Sequence, residues 1–232
     1  MKIIRISKMY CNSYIVIDGE TGIIVDTLFP GAEKVIIEKI KELGIYSFEP
    51  RAIFLTHAHF DHTGSAKVLA DFFHIPIISH RLAKPYLEKG ENAPLFPYKI
   101  RGRLVVFGAG LINSKYDAIS PDVVFDSIID LSQFGINGYI LYTPGHTVGS
   151  STLKVGKDVF IGDLLMGFPL FFLPSYPISV TSTKELRKSI EKLVMGGAER
   201  FYPGHGIPWE VERVKRLVRD DERGVERAIL MN

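Results

Sequence analysis

The segment LTHAHFDHTGS, at residues 55–65, concentrates side chains that bind metal ions. It holds His57, His59 and His62 together with Asp61, although the chain of 232 residues has only seven histidines. Transition metals take neutral imidazole nitrogens and carboxylate oxygens as ligands at about 2.0–2.2 Å. A bound metal ion lowers the pKa of its water and polarises a carbonyl group. The residue types and their spacing therefore predict a metal site with hydrolytic chemistry.

Further candidate ligands follow predicted strands later in the chain. His146 lies in YTPGHTVGS and His205 in FYPGHG, each after a strand and a Pro-Gly turn that projects the side chain. Asp163 ends the strand-like run VFIGD. Strand ends commonly carry function in layered α/β proteins. Together with the first motif this makes five histidines and two aspartates, which suits two ions that share a bridging carboxylate.

The remaining histidines and the single cysteine are interpreted as structural. His74 and His80 are isolated in the sequence, and an isolated histidine is more often packed or exposed than a ligand. Cys11 is remote from the histidine motif, so we expect no thiolate in the site. A single cysteine also excludes an internal disulfide framework and suits a reducing cytoplasm, where we expect the protein to act.

Composition and charge exclude several classes of function. Hydrophobic residues make up 46% of the chain and charged residues 23%, as in ordinary globular proteins. The formal net charge of +2 gives no strong field, so neither nucleic acid nor a membrane surface is an expected partner. The longest apolar run, MGFPLFFLP at 166–174, is too short to cross a bilayer, and the charged N-terminus is not that of a signal peptide.

Predicted strands and helices alternate in an order that would place the candidate ligands at strand ends. NSYIVIDGETGIIVD predicts a hairpin, and a helix is predicted at 31–43. RAIFLTH, at 51–57, is typical of a buried strand that runs into the histidine motif, and a helix is predicted from Gly64. Further strands are predicted in PIIS, VVFDSIIDL, GYILYTPGH, STLKVGKDVFIGD and RFYPGH.

The C-terminal third is predicted to contain two helices. The run from Ser182 to Glu185 is a capping box, and the helix that it begins should end at Gly196. The charged tail from Pro208 is also predicted to be helical. No linker or repeat interrupts the chain, so we expect a single layered α/β domain over residues 1–232. Residues 85–121 lack a clear period and should cover one side of a cleft.

The motifs THAHFDH, TPGHT, IGD and YPGHG, in this order, resemble those of the metallo-β-lactamase superfamily. The resemblance spans nearly the whole chain and implies a four-layer αββα sandwich with two metal ions at one edge of its sheets. The implied ligands of the first ion are His57, His59 and His146. Those of the second are Asp61, His62 and His205, with Asp163 bridging the two ions. Asp26 would lie close behind these ligands.

Within the superfamily, the ligand set is similar to that of glyoxalase II and its relatives, whereas true β-lactamases generally lack the bridging aspartate. This implies a hydrolase that attacks the thioester, ester or lactone carbonyl of a small acyl substrate with a metal-bridging hydroxide. Asp61 would bind metal and also orient the nucleophile or receive its proton. The short tail after His205 argues against glutathione thioesters, and Met166 stands where homoserine-lactone lactonases have a tyrosine.

Several alternatives stay open at this point. Two zinc ions are the expected cofactors, although iron and manganese accept the same ligands. The resemblance also allows a persulfide dioxygenase with one iron ion, or a phosphodiesterase or nuclease. A complete ligand set disfavours a member without activity. The apolar run at 166–174 could border the substrate pocket, belong to the core, or form the contact of a homo-oligomer.

Overall fold

Six strands form a first sheet in which neighbours in sequence are also neighbours in space. The computed structural model of the protein describes residues 1–44, 48–99, 102–103, 114–167 and 172–230, and for 222–230 it describes the backbone alone. The strands are β1 (Lys2–Lys8), β2 (Cys11–Asp18), β3 (Thr21–Val25), β4 (Glu49–Phe54), β5 (Ile77–His80) and β6 (Val123–Phe125). β1, β2 and β3 are antiparallel, and β3 to β6 are parallel.

Helices connect the parallel strands of this sheet, as parallel pairing requires. α1 (Glu33–Glu42) joins β3 to β4, and α3 (Ala66–Phe73) joins β4 to β5. A single turn, α2 (Phe60–Thr63), precedes α3, and α4 (Lys84–Leu87) follows β5. The predicted hairpin is confirmed, because Asp18 pairs with Thr21 across the turn between β2 and β3.

The second sheet also has six strands and is mostly antiparallel. Its strands are β7 (Ile128–Asp130), β8 (Gly138–Tyr142), β9 (Ser151–Val155), β10 (Asp158–Gly162), β11 (Arg200–Pro203) and β12 (Trp209–Glu210). β10 and β11 are parallel and are joined through α5 (Thr183–Met195), and α6 (Val211–Leu230) follows β12. The predicted strand VVFDSIIDL is divided between the sheets, since β6 lies in the first and β7 in the second.

Three hydrophobic clusters separate four layers. On β2, Ile15 and Ile17 face α1 and α3, whereas Tyr14 and Val16 face the second sheet. This alternation follows from the two-residue period of a strand and leaves both faces of the sheet buried. On the far side of the second sheet, the third cluster takes in Leu186 of α5 and residues of β10 and β11. The predicted αββα sandwich is confirmed.

The helical predictions agree with the structure within a few residues. α1 begins at Glu33 instead of 31, and α5 begins directly after Ser182, whose hydroxyl accepts a hydrogen bond from Glu185 N at 3.2 Å. The charged tail is helical, as predicted. None of the helices in the described ranges combines the length and the apolar character that a membrane span requires.

Candidate metal centre

Loops at one edge of the sandwich carry the predicted ligands. β4 ends at Phe54, and the chain then passes through His57 and His59 into α2, the single turn that holds Asp61 and His62. The ends of β8, β10 and β11 lie shortly before His146, Asp163 and His205, respectively. The structure brings all the predicted ligands together, and every one except Asp61 is buried.

Three histidines form the first half of the cluster; we name His57, His59 and His146 the imidazole triad. Nδ1 of His59 lies 3.0 Å from Nε2 of His57 and 3.1 Å from Nε2 of His146. The outer nitrogens donate to backbone carbonyls: His59 Nε2 to Ala93 at 3.2 Å and His146 Nδ1 to Ser179 at 2.8 Å. The inner nitrogens of these two rings therefore carry no proton.

Asp26 sets the same arrangement for His57 and His62. Its carboxylate accepts from Thr56 N and Thr56 Oγ1, both at 2.8 Å, and from His62 Nδ1 at 2.7 Å. Because Thr56 Oγ1 gives its proton to Asp26, it accepts from His57 Nδ1 at 3.0 Å. Nε2 of His57 is thus an acceptor that faces the interior, and Nε2 of His62 faces His205 and Asp163. Asp26 lies directly behind the cluster, where the resemblance placed it.

The geometry of the imidazole triad fits a metal ion. Its inner nitrogens are hydrogen-bond acceptors that face one another at 3.0 and 3.1 Å, so hydrogen bonds cannot hold them together. Two ligands about 2.0–2.2 Å from one ion, at angles of about 90–110°, lie about 2.8–3.6 Å apart. The observed separations fall within this range.

The second half of the cluster contains two carboxylates and two imidazoles; we name Asp61, His62, Asp163 and His205 the mixed site. His205 Nε2 lies 3.3 Å from His62 Nε2, 3.2 Å from Asp163 Oδ2 and 3.6 Å from Asp61 Oδ2. The other nitrogen of His205 donates to the carbonyl of Tyr10 at 2.9 Å. These separations also suit ligands of one ion.

Asp163 lies between the two halves. Its Oδ2 is 3.7 Å from His146 Nε2 in the imidazole triad and 3.2 Å from His205 Nε2 in the mixed site. Its Oδ1 is buried and, among the residues that the structure describes, has no hydrogen-bond partner. A buried carboxylate oxygen without a partner is costly, whereas one that binds a cation is satisfied. The position of Asp163 therefore fits a ligand shared by two ions.

Burial keeps the imidazole triad neutral. It lowers the pKa of His59 to about 3, and the neighbouring His146 ring adds to the effect. Burial also lowers the pKa of His146, and it holds the pKa of His57 well below the usual value. Neutral imidazole is the form that binds metal, so an ion meets no competing proton in this half.

Carboxylates outweigh burial in the mixed site. Burial disfavours a charged His62, but Asp163 and Asp26 overcome it and raise the pKa of His62 to about 9. Burial also lowers the pKa of His205, but the Asp163 carboxylate has the larger effect and raises it well above its usual value. These cationic rings also overcome burial at Asp163 and hold its pKa well below the usual range. A metal ion bound here would replace protons with its own charge.

Cys11 is the residue that sequence reasoning missed. The expectation that Cys11 is remote from the site is wrong, because the Cys11 thiol donates to Asp61 Oδ2 at 3.6 Å and groups with Asp61 and His205 as potential metal ligands. The strand pairing of the predicted hairpin could have placed Cys11 near the site. Tyr14 pairs with Val25, so the start of β2 lies at the same edge of the sheet as Asp26.

The two histidines interpreted as structural lie outside the cluster. His74 is exposed at the end of α3, with φ of 55°. His80 stacks on Tyr142, with the ring centroids 4.0 Å apart, and donates to the carbonyl of Asp126 at 2.8 Å. Neither contributes a ligand.

Segments without a clear sequence period border the cluster. Asn92 Oδ1 accepts from Phe60 N at 2.7 Å, so the predicted cleft segment 85–121 fastens the loop that carries the histidine motif. Residues 100–101 and 104–113 of that segment lie outside the described residues, as do 168–171 of the apolar run. In the described part of that run Met166 is buried, whereas Phe172 and Leu173 are exposed.

The αββα sandwich and the histidine–aspartate cluster at its edge define a class of metal-dependent proteins. The sequence profile of the metallo-beta-lactamase superfamily matches residues 7–205, and the chain belongs to this superfamily. Its fold implies binding of divalent metal, and its relatives support a metal-dependent hydrolase in general terms.

One relative and two solved structures show the range of this similarity. The probable metallo-hydrolase MJ0888 of Methanocaldococcus jannaschii is 27% identical over 199 residues, which cover 84% of this chain and 87% of the relative. TTHA1623, solved in a di-iron-bound form, is 25% identical and has a TM-score of 0.63. The similarity covers 94% of this chain and 98% of the TTHA1623 chain. The BLEG-1 B3 metallo-beta-lactamase shares the fold, with 21% identity and a TM-score of 0.68. The similarity covers 91% of this chain and 95% of the BLEG-1 chain.

Proposed function

We propose that the protein is a hydrolase with two metal ions that cleaves a thioester, ester or lactone of a small acyl substrate. The observation that carries the proposal is the set of proton-free imidazole nitrogens that face one another in the imidazole triad at 3.0 and 3.1 Å. In this proposal the imidazole triad holds the first ion. Asp61, His62 and His205 hold the second, and Asp163 bridges the two.

The bound ions would activate a water molecule and polarise the substrate carbonyl, so that no backbone oxyanion hole is needed. Asp61 is the most exposed of the carboxylates in the cluster, with 15% of its side chain accessible against 5% for Asp163. It therefore borders the cleft, where it can orient the attacking water and receive its proton. A thiolate leaves with little need of protonation, whereas the alkoxide of an ester or of an opened lactone takes the proton that Asp61 received from the water.

Exposed apolar side chains close to the ligands support an apolar acyl group. Val148 and Ile207 follow His146 and His205 by two residues each and are exposed. Phe96 is half exposed, and its N–H donates to the hydroxyl of Ser179 at 2.8 Å. The Ser179 carbonyl in turn accepts from His146, so this phenylalanine also lies close to the cluster. Apolar side chains beside the ligands would bind hydrocarbon better than phosphate, which favours acyl substrates over nucleic acid.

Zinc is the proposed metal, because imidazole and carboxylate suit it and four-coordinate geometry fits the ligand separations. TTHA1623 was solved with two irons bound, so iron is the second candidate here.

The proposal includes a glyoxalase II-like ligand arrangement and a single domain over residues 1–232. It also places the protein in the cytoplasm, where the Cys11 thiol stays reduced.

Elemental analysis of the purified protein tests the metal centre. We expect about two ions per chain in the wild-type protein, as a two-metal site requires. His59→Ala should lose metal and hydrolytic activity together while its far-UV circular dichroism stays unchanged. His74→Asn is the matched control, because His74 is an exposed histidine outside the cluster and asparagine tolerates its φ of 55°.

A substrate panel tests the reaction. Aryl and alkyl thioesters of short and long chain, simple lactones, bis(p-nitrophenyl) phosphate, a β-lactam and glutathione persulfide should be compared at equal metal content. Hydrolysis of long-chain thioesters or lactones above all others is the expected result. A wild-type level of metal and activity in His59→Ala contradicts the ligand assignment. One iron per chain with consumption of persulfide contradicts the hydrolase.

A further inference from the structure

We propose that Cys11 is a thiolate ligand of the ion in the mixed site, so that the two ions have chemically different surroundings. This inference rests on the proposed metal centre and adds to it a ligand that lies outside the histidine and aspartate motifs. Cys11 is the only cysteine in the chain, and its side chain is fully buried.

The separations of the donor atoms carry the inference. Cys11 Sγ lies 3.6 Å from Asp61 Oδ2, and His205 Nε2 lies 3.6 Å from the same oxygen. A zinc–sulfur bond of about 2.3 Å and a zinc–oxygen bond of about 2.0–2.2 Å at a tetrahedral angle place sulfur and oxygen about 3.5–3.7 Å apart. Cys11, Asp61 and His205 therefore each offer a ligand atom within 4.8 Å of the other two, as ligands of one ion do.

Neighbouring residues hold Cys11 in this position. Asn12 N donates to the carbonyl of Gly204 at 2.8 Å, and Asn12 Nδ2 donates to those of Pro203 and Gly206 at 3.0 and 2.8 Å. These bonds tie the first residues of β2 to the loop that carries His205. The thiol and the imidazole are therefore fixed relative to each other across the two sheets, as preorganised ligands are.

A second observation in the same site points independently to a cation. Asp163 Oδ1 is buried and lies 3.4 Å from His62 Nε2, yet it has no hydrogen-bond partner among the residues that the structure describes. With Asp61 the mixed site holds two carboxylates and one thiol in a buried space. The protonated rings of His62 and His205 balance the two carboxylates, and a metal ion would replace those protons with positive charge in fixed form.

A thiolate in one half makes the two ions unequal. The imidazole triad offers nitrogen ligands alone, whereas the mixed site would add a soft sulfur to nitrogen and oxygen. Thiolate ligands select zinc and iron over manganese and magnesium. We therefore expect the mixed site to discriminate against manganese and magnesium more strongly than the imidazole triad does.

Cobalt(II) substitution of the folded protein tests the inference. Cobalt bound to thiolate shows a sulfur-to-metal charge-transfer absorption in the near ultraviolet, and any such band must come from Cys11 because the chain has one cysteine. We expect the band in the wild-type protein loaded with two cobalt ions per chain. Cys11→Ser should lose the band and bind the second cobalt more weakly, as followed by chelator competition.

Two ligand variants show which ion carries the sulfur. His59→Ala should bind one cobalt fewer and keep the band, whereas His205→Ala should lose the band. The reverse pattern would place the thiolate on the ion of the imidazole triad and would overturn the inference. Two bound cobalt ions with no band in the wild-type protein also overturn it, and the proposed function would stand. A chain that binds no cobalt overturns both.

Discussion

Each clustered histidine has two ring nitrogens with separate tasks. One nitrogen donates to a fixed acceptor, and the other is turned towards the site, where it can bind a metal ion once it carries no proton. For His59, His146 and His205 the acceptor is a backbone carbonyl. A side-chain substitution at the residue that carries this carbonyl leaves the acceptor in place. For His62 it is the side chain of Asp26. Asp26 is therefore the position at which ligand orientation can be tested without changing a ligand.

Asp26→Ala should weaken metal binding without removing a ligand. His62 and Thr56 lose their shared acceptor, and loss of such a partner typically lowers metal affinity by about 10- to 100-fold. Competition with a chelator measures the change. Asp26→Asn is the control, because it keeps the size of the side chain and tolerates the φ of 55° at this position. An unchanged affinity in the alanine variant would show that Asp26 does not orient His62.

Gly204→Ala should displace two ligands at once. A Cβ at this position would overlap the His62 ring and lie 2.7 Å from Asp163 Oδ1. We expect metal content and activity to fall together while circular dichroism still reports folded sheets. Gly197→Asn serves as control, since a Cβ there meets nothing within 4 Å and asparagine tolerates its φ of 78°. Full metal content in Gly204→Ala would contradict the described packing of the mixed site.

At the scale of the elements, ligands from distant segments meet because loops are tied across the sheets. The Tyr14 hydroxyl on β2 donates to the carbonyl of Pro203 at 2.7 Å, and Ser151 N on β9 donates to the carbonyl of Thr56 at 2.9 Å. The first bond joins β2 to β11 of the second sheet, and the second bond joins the residue before the histidine motif to β9. The metal centre therefore depends on both sheets packing in one register.

The N-terminus of α5 offers a test of an element rather than a ligand. The Ser182 hydroxyl accepts from Glu185 N at 3.2 Å and caps the helix. Ser182→Ala should lower the free energy of unfolding by about 1 kcal/mol, as loss of such a cap usually does. Urea denaturation followed by circular dichroism measures this, and its m value should stay constant. Ser182→Asn keeps a capping group and should restore stability; equal loss in both variants would contradict a capping role.

At the scale of the whole molecule, the hydrophobic clusters and the metal cluster contribute separately to stability. Three apolar clusters hold the four layers together, and the ligands lie at the edge of these clusters. Ions that bind only the folded chain add stability by mass action, about 4 kcal/mol per site at a concentration of about 1,000 times the Kd. The fold should therefore persist without metal, but at lower stability.

Removal of metal by a chelator should lower the melting temperature and leave the far-UV circular dichroism at 25 °C unchanged. Thermal unfolding with and without added zinc measures the difference, and zinc returned to the stripped protein should restore the melting temperature. A melting temperature that does not respond to chelator or to zinc would contradict metal binding by the folded chain.

Local patterns predicted much of the fold and the ligands. The spacing of His57, His59, Asp61 and His62 is a property of neighbouring residues, and so are the periods that predicted the hairpin, α1 and α5. The resemblance supplied the order of layers. Local patterns did not predict that VVFDSIIDL divides between two sheets, because its apolar residues suit a strand in either sheet.

Tertiary structure alone decided what meets at the site. Cys11 is 50 residues from Asp61 in sequence, yet strand order brings their side chains into contact. Tertiary structure also places Asp163 between the imidazole triad and the mixed site. It further determines which nitrogen of each imidazole faces the interior. The physical reason is that residue type and spacing determine which groups are available and which elements form. Distances between segments far apart in sequence depend on how two twisted sheets pack and on the bonds that join their loops.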